Sequence, residues 1–278
     1  MRRVPEMVSL WRRERGFTLI EMIVSIVIAG ILIAIVAMFG RRQIDSYLDV
    51  SARAELSDAA DTALRRIARD LQSALPNSVR VDGTGQFLEF VPISDAGRYR
   101  ADVGGGASDN PLDFTNSSDS SFDVLGPPVT IRAGEELVIF NLGLTGSDVY
   151  AGSNRHPATA GAGLQTVTYT IDGTHPQFVF PSPQNRFQIV AQPVSYVCNP
   201  AAGTLTRRTG YGFIPGQPTN FAALGGSSAI LVSDVAACSF SYAPAALQRN
   251  GLAVLRLTLS RNNESVELLH QVEVLNTP

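Results

Sequence analysis

The chain changes hydrophobic texture twice. Residues 17–39 are almost wholly apolar, and Glu21 is the one charge among them. As a helix rising 1.5 Å per residue this run covers about 35 Å, enough to cross a bilayer. Farther on, Leu56, Ala60, Ala63, Leu64, Ile67, Leu71, Ala74 and Leu75 recur at three and four residues and form one stripe of an amphipathic helix. Asp61 stands four before Arg65 and Arg66 four before Asp70, so the polar side carries its own ion pairs. Pro76 makes Leu75 the expected last helical residue.

From Ser78 onward the pattern switches to short alternating runs broken by turns. "QFLEFVPI" (86–93), "VTIRA" (129–133), "LVIFNL" (137–142), "TVTYTI" (166–171), "RFQIVAQPVSYV" (186–197), "AILVSDV" (229–235), "ACSFSYA" (237–243), "LAVLRLTLS" (252–260) and "VELLHQVEVL" (266–275) read as strands. Asp82-Gly83, Gly134-Glu135 and Asn250-Gly251 mark turns. The last two runs predict a hairpin with Arg261-Asn262-Asn263 near its turn. Residues 97–128 and about 210–228 are rich in glycine, serine, aspartate or proline and read as surface loops. The expected fold class is α+β: a long N-terminal helix, half membrane-type and half amphipathic, packed on a mainly antiparallel β-sheet head.

Charge orients this scheme. Arg2, Arg3, Arg12, Arg13 and Arg15 precede the apolar run, and only Arg41 and Arg42 follow it closely. That bias places the N-terminus in the cytoplasm and the head outside. The run is too long for an ordinary secretory signal, and its far end, Ala37-Met38-Phe39-Gly40, is a poor cleavage site. All 22 basic residues are arginine, which excludes a P-loop lysine, a Schiff-base lysine and an S-x-x-K pair. The net charge of −3 gives no reason to expect nucleic acid. "RRIARDLQSALPNSVRV" (65–81) mixes its arginines with acids and reads as a solvated face.

Chemistry-bearing residues are sparse. His156 and His175 each precede a proline and read as loop residues, and His270 falls in a strand pattern. There is no H-E-x-x-H, G-x-S-x-G or G-x-G-x-x-G, so no enzyme, cofactor or metal is expected. Asp109, Asp113, Asp119 and Asp123 have the oxygen chemistry of calcium ligands, but their spacing is not that of an EF-hand, and a solvated loop is the plainer reading. Cys198 and Cys238 are either buried thiols or a disulfide. A head outside the cytoplasm favours the disulfide.

One stretch is more specific. Gly16-Phe17-Thr18-Leu19-Ile20-Glu21 follows the arginine cluster and opens the apolar run. It resembles the type IV prepilin signature. The resemblance implies a leader of residues 1–16 removed by prepilin peptidase after Gly16, N-methylation of the new terminus at Phe17, and retention of the apolar helix. Met7 offers a second start that leaves the cut unchanged. Residues 17–40 then form the transmembrane or filament-core helix, 41–76 its amphipathic continuation, and 77–278 the periplasmic head. Glu21 lies four residues beyond the new amine, on the same helical face. Each charge is costly alone in a membrane or packed filament and much cheaper as a pair. Glu21 is therefore expected to register the subunit during assembly.

"AELSDAADTALRRIARDLQSALPNSVRV" (54–81), "VSYVCNPAAGTLTRRTGYG" (194–212) and "HQVEVLNTP" (270–278) are similar to minor pilins of the mannose-sensitive haemagglutinin (MSHA) pilus. This implies as partners other major and minor pilins, the peptidase and an inner-membrane assembly platform. The alternatives are a J- or W-type minor pseudopilin of a type II secretion system and a membrane-anchored adhesin. Many pilins have proline near the position of Met38. Here it is absent, and Gly30 and Gly40 are the expected soft points.

Overall fold

The computed structural model describes residues 16–106, 108–244 and 250–276. The leader arginines lie outside these residues, as do the side chains of Arg41 and Arg42. The chain divides into two compact units, Met1–Ser51 and Ala52–Pro278.

In the first unit the dominant element is the early part of helix α1, Leu19–Gln72. Its stretch Leu19–Phe39 has a mean hydropathy of 3.0 and is exposed throughout. No other described helix is long and apolar enough to cross a membrane. Gly30 and Gly40 interrupt neither the helix nor its register.

In the second unit α1 ends three residues before Leu75. The amides of Ser73 and Ala74 still turn back to the carbonyls of Asp70 and Leu71, but the Leu75 amide bonds to the Val91 carbonyl at 2.7 Å. Pairing with extended chain has displaced the last helical turn ahead of Pro76. Every residue of the predicted stripe is buried. Truncating Leu64, Ile67 or Leu71 to alanine would cost about 2–5 kcal/mol each.

Sixteen strands lie among the described residues. In chain order they are β1 (Arg80–Val81), β2 (Phe87–Phe90), β3 (Ile93–Arg98), β4 (Ser121–Asp123), β5 (Val129–Ile131), β6 (Glu136–Val138), β7 (Arg155–Pro157) and β8 (Gly161–Leu164). They continue with β9 (Thr166–Thr168), β10 (Arg186–Val190), β11 (Val194–Asn199), β12 (Thr204–Thr209), β13 (Ser227–Ser233), β14 (Val235–Ala243), β15 (Gly251–Arg261) and β16 (Glu264–Val274). They pair antiparallel as sheets ordered β1-β2-β11-β12-β13, β3-β10-β6-β7 and β14-β15-β16, with the small pairs β4-β9 and β5-β8.

The main core joins the α1 stripe to the five- and three-stranded sheets, through Leu88, Phe90, Tyr196 and Leu205 on one side and Phe240, Leu255, Leu257 and Leu259 on the other. Asp70 anchors the helix by accepting from the Tyr196 hydroxyl at 2.8 Å and Arg207 Nε at 3.0 Å. A second core, around Tyr99, Phe122, Phe187 and Ile189, belongs to the four-stranded sheet and the two small pairs.

Two of the predicted strands break in two. "QFLEFVPI" divides at Pro92 into β2 and the start of β3, and "RFQIVAQPVSYV" divides at Pro193 into β10 and β11. Each proline lacks the N–H that a central ladder needs. The breaks match: β2 pairs with β11 and β3 with β10, so one two-stranded ribbon passes from the five-stranded to the four-stranded sheet across the stretch that holds both prolines. The predicted 97–128 loop is also corrected. It contains β4 and contributes buried Tyr99, Leu112 and Phe122 to the second core. The predicted hairpin is present as β15-β16, its turn carried by Asn262 and Asn263 at φ 52° and 66°, the left-handed pair a type I′ turn requires.

Candidate processing and assembly site

Gly16, Phe17 and Thr18 precede α1 in non-helical conformation. Phe17 is exposed, and no atom lies within 4 Å of where a Cβ on Gly16 would stand. Among the described residues nothing beyond its chain neighbours crowds Gly16, at the bond expected to be cut. Thr18 is the N-cap. The Glu21 carboxylate accepts from the Thr18 amide and hydroxyl, both at 2.9 Å, and the Glu21 amide donates back to Thr18 Oγ1 at 3.3 Å. This reciprocal pair is a capping box. It contributes on the order of 1 kcal/mol to the helix start. T-x-x-E ahead of an apolar run is the sequence signature of that box, so Glu21 has a local partner in Thr18 besides the Phe17 amine expected to receive it. Phe17, Ile20, Glu21, Val24 and Ser25 line one shallow groove at the helix start.

Residues 11–37 match the family model of the prokaryotic N-terminal methylation motif. The match supports a type IV pilin-like or pseudopilin protein. Comparisons with curated proteins and with solved structures gave no match. The motif and the apolar helix point to membrane anchoring through the N-terminal helix, and the motif implies in general an interaction with other pilins and the prepilin peptidase.

In the head, Cys198 on β11 and Cys238 on β14 form a disulfide with a Cα–Cα distance of 6.1 Å. It ties the five-stranded sheet to the three-stranded one.

The four loop aspartates do not converge. Asp109 accepts from the amides of Gly104 and Gly106 at 2.7 and 3.1 Å. Asp113 accepts from the Thr115 amide at 2.8 Å, and Asp119 from the Asp113 amide at 2.6 Å. Asp123 holds the Asn110 amide at 3.0 Å and Arg100 Nε at 3.3 Å. The middle of this loop is filled by Gln177, whose Nε2 lies 2.9, 3.1 and 3.0 Å from the carbonyls of Asp113, Asn116 and Asp119.

His156 is corrected from loop to strand. It sits in β7, buried, with its ring 4.1 Å from Phe178 and 5.8 Å from His175. Its Nδ1 must carry the proton, because it meets the Thr170 carbonyl at 2.8 Å. Nε2 is buried without a partner among the described residues. His175 Nδ1 lies 3.0 Å from Asp172, and His270 on β16 lies 3.4 Å from Asp61 on α1.

Burial pushes the His156 pKa below its ordinary value near 6.5, against the pull of the Thr170 carbonyl. The folded head thus binds fewer protons at this residue than the unfolded chain. The His156 contribution to stability is full above about pH 6.5 and declines as pH falls below it, by up to about 1.4 kcal/mol per unit. Unfolding midpoints of wild type between pH 7.5 and 5.5 should fall more steeply than those of His156→Leu. Equal slopes would exclude His156 as the titrating group.

Proposed function

We propose that this chain is a minor pilin subunit that helps initiate, cap or assemble a type IV pilus after removal of residues 1–16 and N-methylation of Phe17. The observation that carries the reading is the methylation motif at residues 11–37, with Gly16 and Phe17 exposed directly ahead of an apolar helix that has no cover of its own. A helix apolar all round must be buried in lipid or among neighbouring helices. Loss of the leader would let the same segment pass from one to the other. The arginine bias supports a cytoplasmic N-terminus with the head in the periplasm.

The large head with its loops favours a low-copy subunit, and the stretches at 54–81, 194–212 and 270–278 favour minor pilin O of the MSHA pilus. The second reading is a J- or W-type pseudopilin, which the same motif fits. Glu21 favours a position with a neighbour above it, at or just below the tip.

Intact-mass spectrometry of filaments sheared from cells tests the proposal. The expected result is a trace species that begins at methylated Phe17. A processed chain found only in the envelope would favour the pseudopilin reading. A chain that keeps residues 1–16 there would defeat both.

A further inference from the structure

Among the described residues three buried side-chain polar atoms lack a hydrogen-bond partner: Asn154 Oδ1, Gln188 Oε1 and His156 Nε2. A buried polar atom left without a partner calls for a reason. His156 Nε2 is the only nitrogen of the three and the only metal-ligating type.

The rest of the His156 ring is firmly held. The residue is 1% exposed on β7, and its Nδ1 meets the Thr170 carbonyl at 2.8 Å. The rings of Phe178 and Tyr169 pack on it, with centres 4.1 and 5.4 Å away. The bond to Thr170 puts the proton on Nδ1 and the lone pair on Nε2. His175 repeats the arrangement. Its Nδ1 lies 3.0 Å from the Asp172 carboxylate, which draws the proton to Nδ1 and leaves the lone pair on Nε2. The two imidazole centres are 5.8 Å apart.

An imidazole whose Nδ1–H is given to a carbonyl or a carboxylate is in the form that ligates a metal. The acceptor fixes tautomer and ring plane and makes Nε2 more basic. Here one ring has the carbonyl and the other the carboxylate. The spacing also fits. With a metal–nitrogen bond of about 2 Å, each ring centre stands about 3 Å from a shared ion, so two such rings lie at most about 6 Å apart. The Pro176 carbonyl and Asp172 both favour positive charge at His156, against its burial. The His175 side chain keeps 21% of its exposure, which gives an ion a way in from solvent. No third imidazole, thiol or carboxylate completes the set among the described residues, so a bound ion keeps open positions for water. Two neutral nitrogen donors suit zinc, nickel or copper, whereas calcium and magnesium take oxygen. No sequence motif marks the pair, because one residue comes from a strand and the other from a later connection.

We propose that His156 Nε2 and His175 Nε2 form a two-histidine site for a late first-row divalent ion. The ion ties β7, the last strand of the four-stranded sheet, to the irregular segment 171–182 that follows β9.

The test is calorimetric titration with zinc of the full chain in detergent micelles, made without a histidine tag and stripped with chelator. The chain has three histidines, so assignment is direct. One zinc should bind per chain, and calcium should not bind. His175→Ala should weaken zinc binding at least about tenfold, and His270→Ala should bind as wild type does. No binding of zinc, unchanged affinity in the His175→Ala chain, an equal loss in the His270→Ala chain, or calcium bound as tightly as zinc overturns the proposal. Should His175→Ala fail to fold, nitrogen NMR of the unaltered chain labelled at histidine decides. Zinc should shift the Nε2 signals of two rings and leave the third. A shift of none, of one or of all three overturns the site equally.

Discussion

Glu21→Gln is expected to leave membrane insertion and leader removal intact and to exclude the chain from filaments. The capping box explains why glutamine is the informative choice. Glu21 holds the Thr18 amide and hydroxyl, and a carboxamide oxygen accepts the same two hydrogen bonds. The start of α1 therefore survives. What glutamine cannot do is neutralise the amine that cleavage would create at Phe17. Removing one partner of a desolvated ion pair costs about 3–5 kcal/mol, so incorporation should fall at least about a hundredfold. Glu21→Leu loses both cap and charge and should fail at least as badly. Thr18→Ala loses only the cap, about 1 kcal/mol, and should still incorporate. Quantitative blots of sheared filaments against membranes distinguish the cases. If the glutamine chain enters filaments as wild type does while the leucine chain does not, Glu21 acts through the cap alone and the pairing idea falls.

The features legible in the sequence were those with a short period. The α1 stripe could be read because a helix repeats its buried face every three or four residues, and each predicted position is buried. The β15-β16 hairpin could be read because two long alternating runs flank an asparagine pair that accepts left-handed backbone. Sheet membership was not legible. Nothing local to "RFQIVAQPVSYV" says that its halves serve different sheets. That follows from Pro92 and Pro193, 101 positions apart in the chain, interrupting the two strands of one ribbon over the same stretch. The same limit hid the buried charge pair at Glu89, which accepts from Arg80 Nε at 2.6 Å and from the Tyr211 hydroxyl at 2.7 Å. Glu89, Arg80 and Tyr211 are unremarkable singly, and only pairing of β1 with β2 and return of the chain after β12 bring them into one buried cluster. His156 was misplaced for a related reason. Its proline neighbour argued for a loop, but β7 is three residues long, and a proline at the end of so short a strand costs little. At the N-terminus the methylation signature was plain. The capping box inside it is equally local, with Thr18 and Glu21 three residues apart at the head of the apolar run.

Removing the head disulfide should strongly destabilise the head. Cys198 and Cys238 are 40 positions apart. Closing a loop of that size stabilises by about 4 kcal/mol if the effect is loss of chain entropy in the unfolded state. The closed loop contains β12, residues 210–226 and β13, so in the reduced chain the outer half of the five-stranded sheet is tied to the rest by hydrogen bonds and packing alone. For a unit of this size the loss corresponds to a fall of about 8–16 °C in Tm. Alanine is the better replacement, because Cys198 is buried in the main core and a serine hydroxyl there would add a separate desolvation cost. Thermal melts of Cys198→Ala/Cys238→Ala in detergent should coincide with those of wild type under reductant, and both should lie well below oxidised wild type. A shift of less than about 2 °C, equivalent to under 1 kcal/mol, would mean that the cross-link constrains nothing the fold does not already hold. If reductant lowered wild type but left the alanine variant unmoved, the whole effect would belong to this one bond, and assembly of the head would depend on an oxidising compartment.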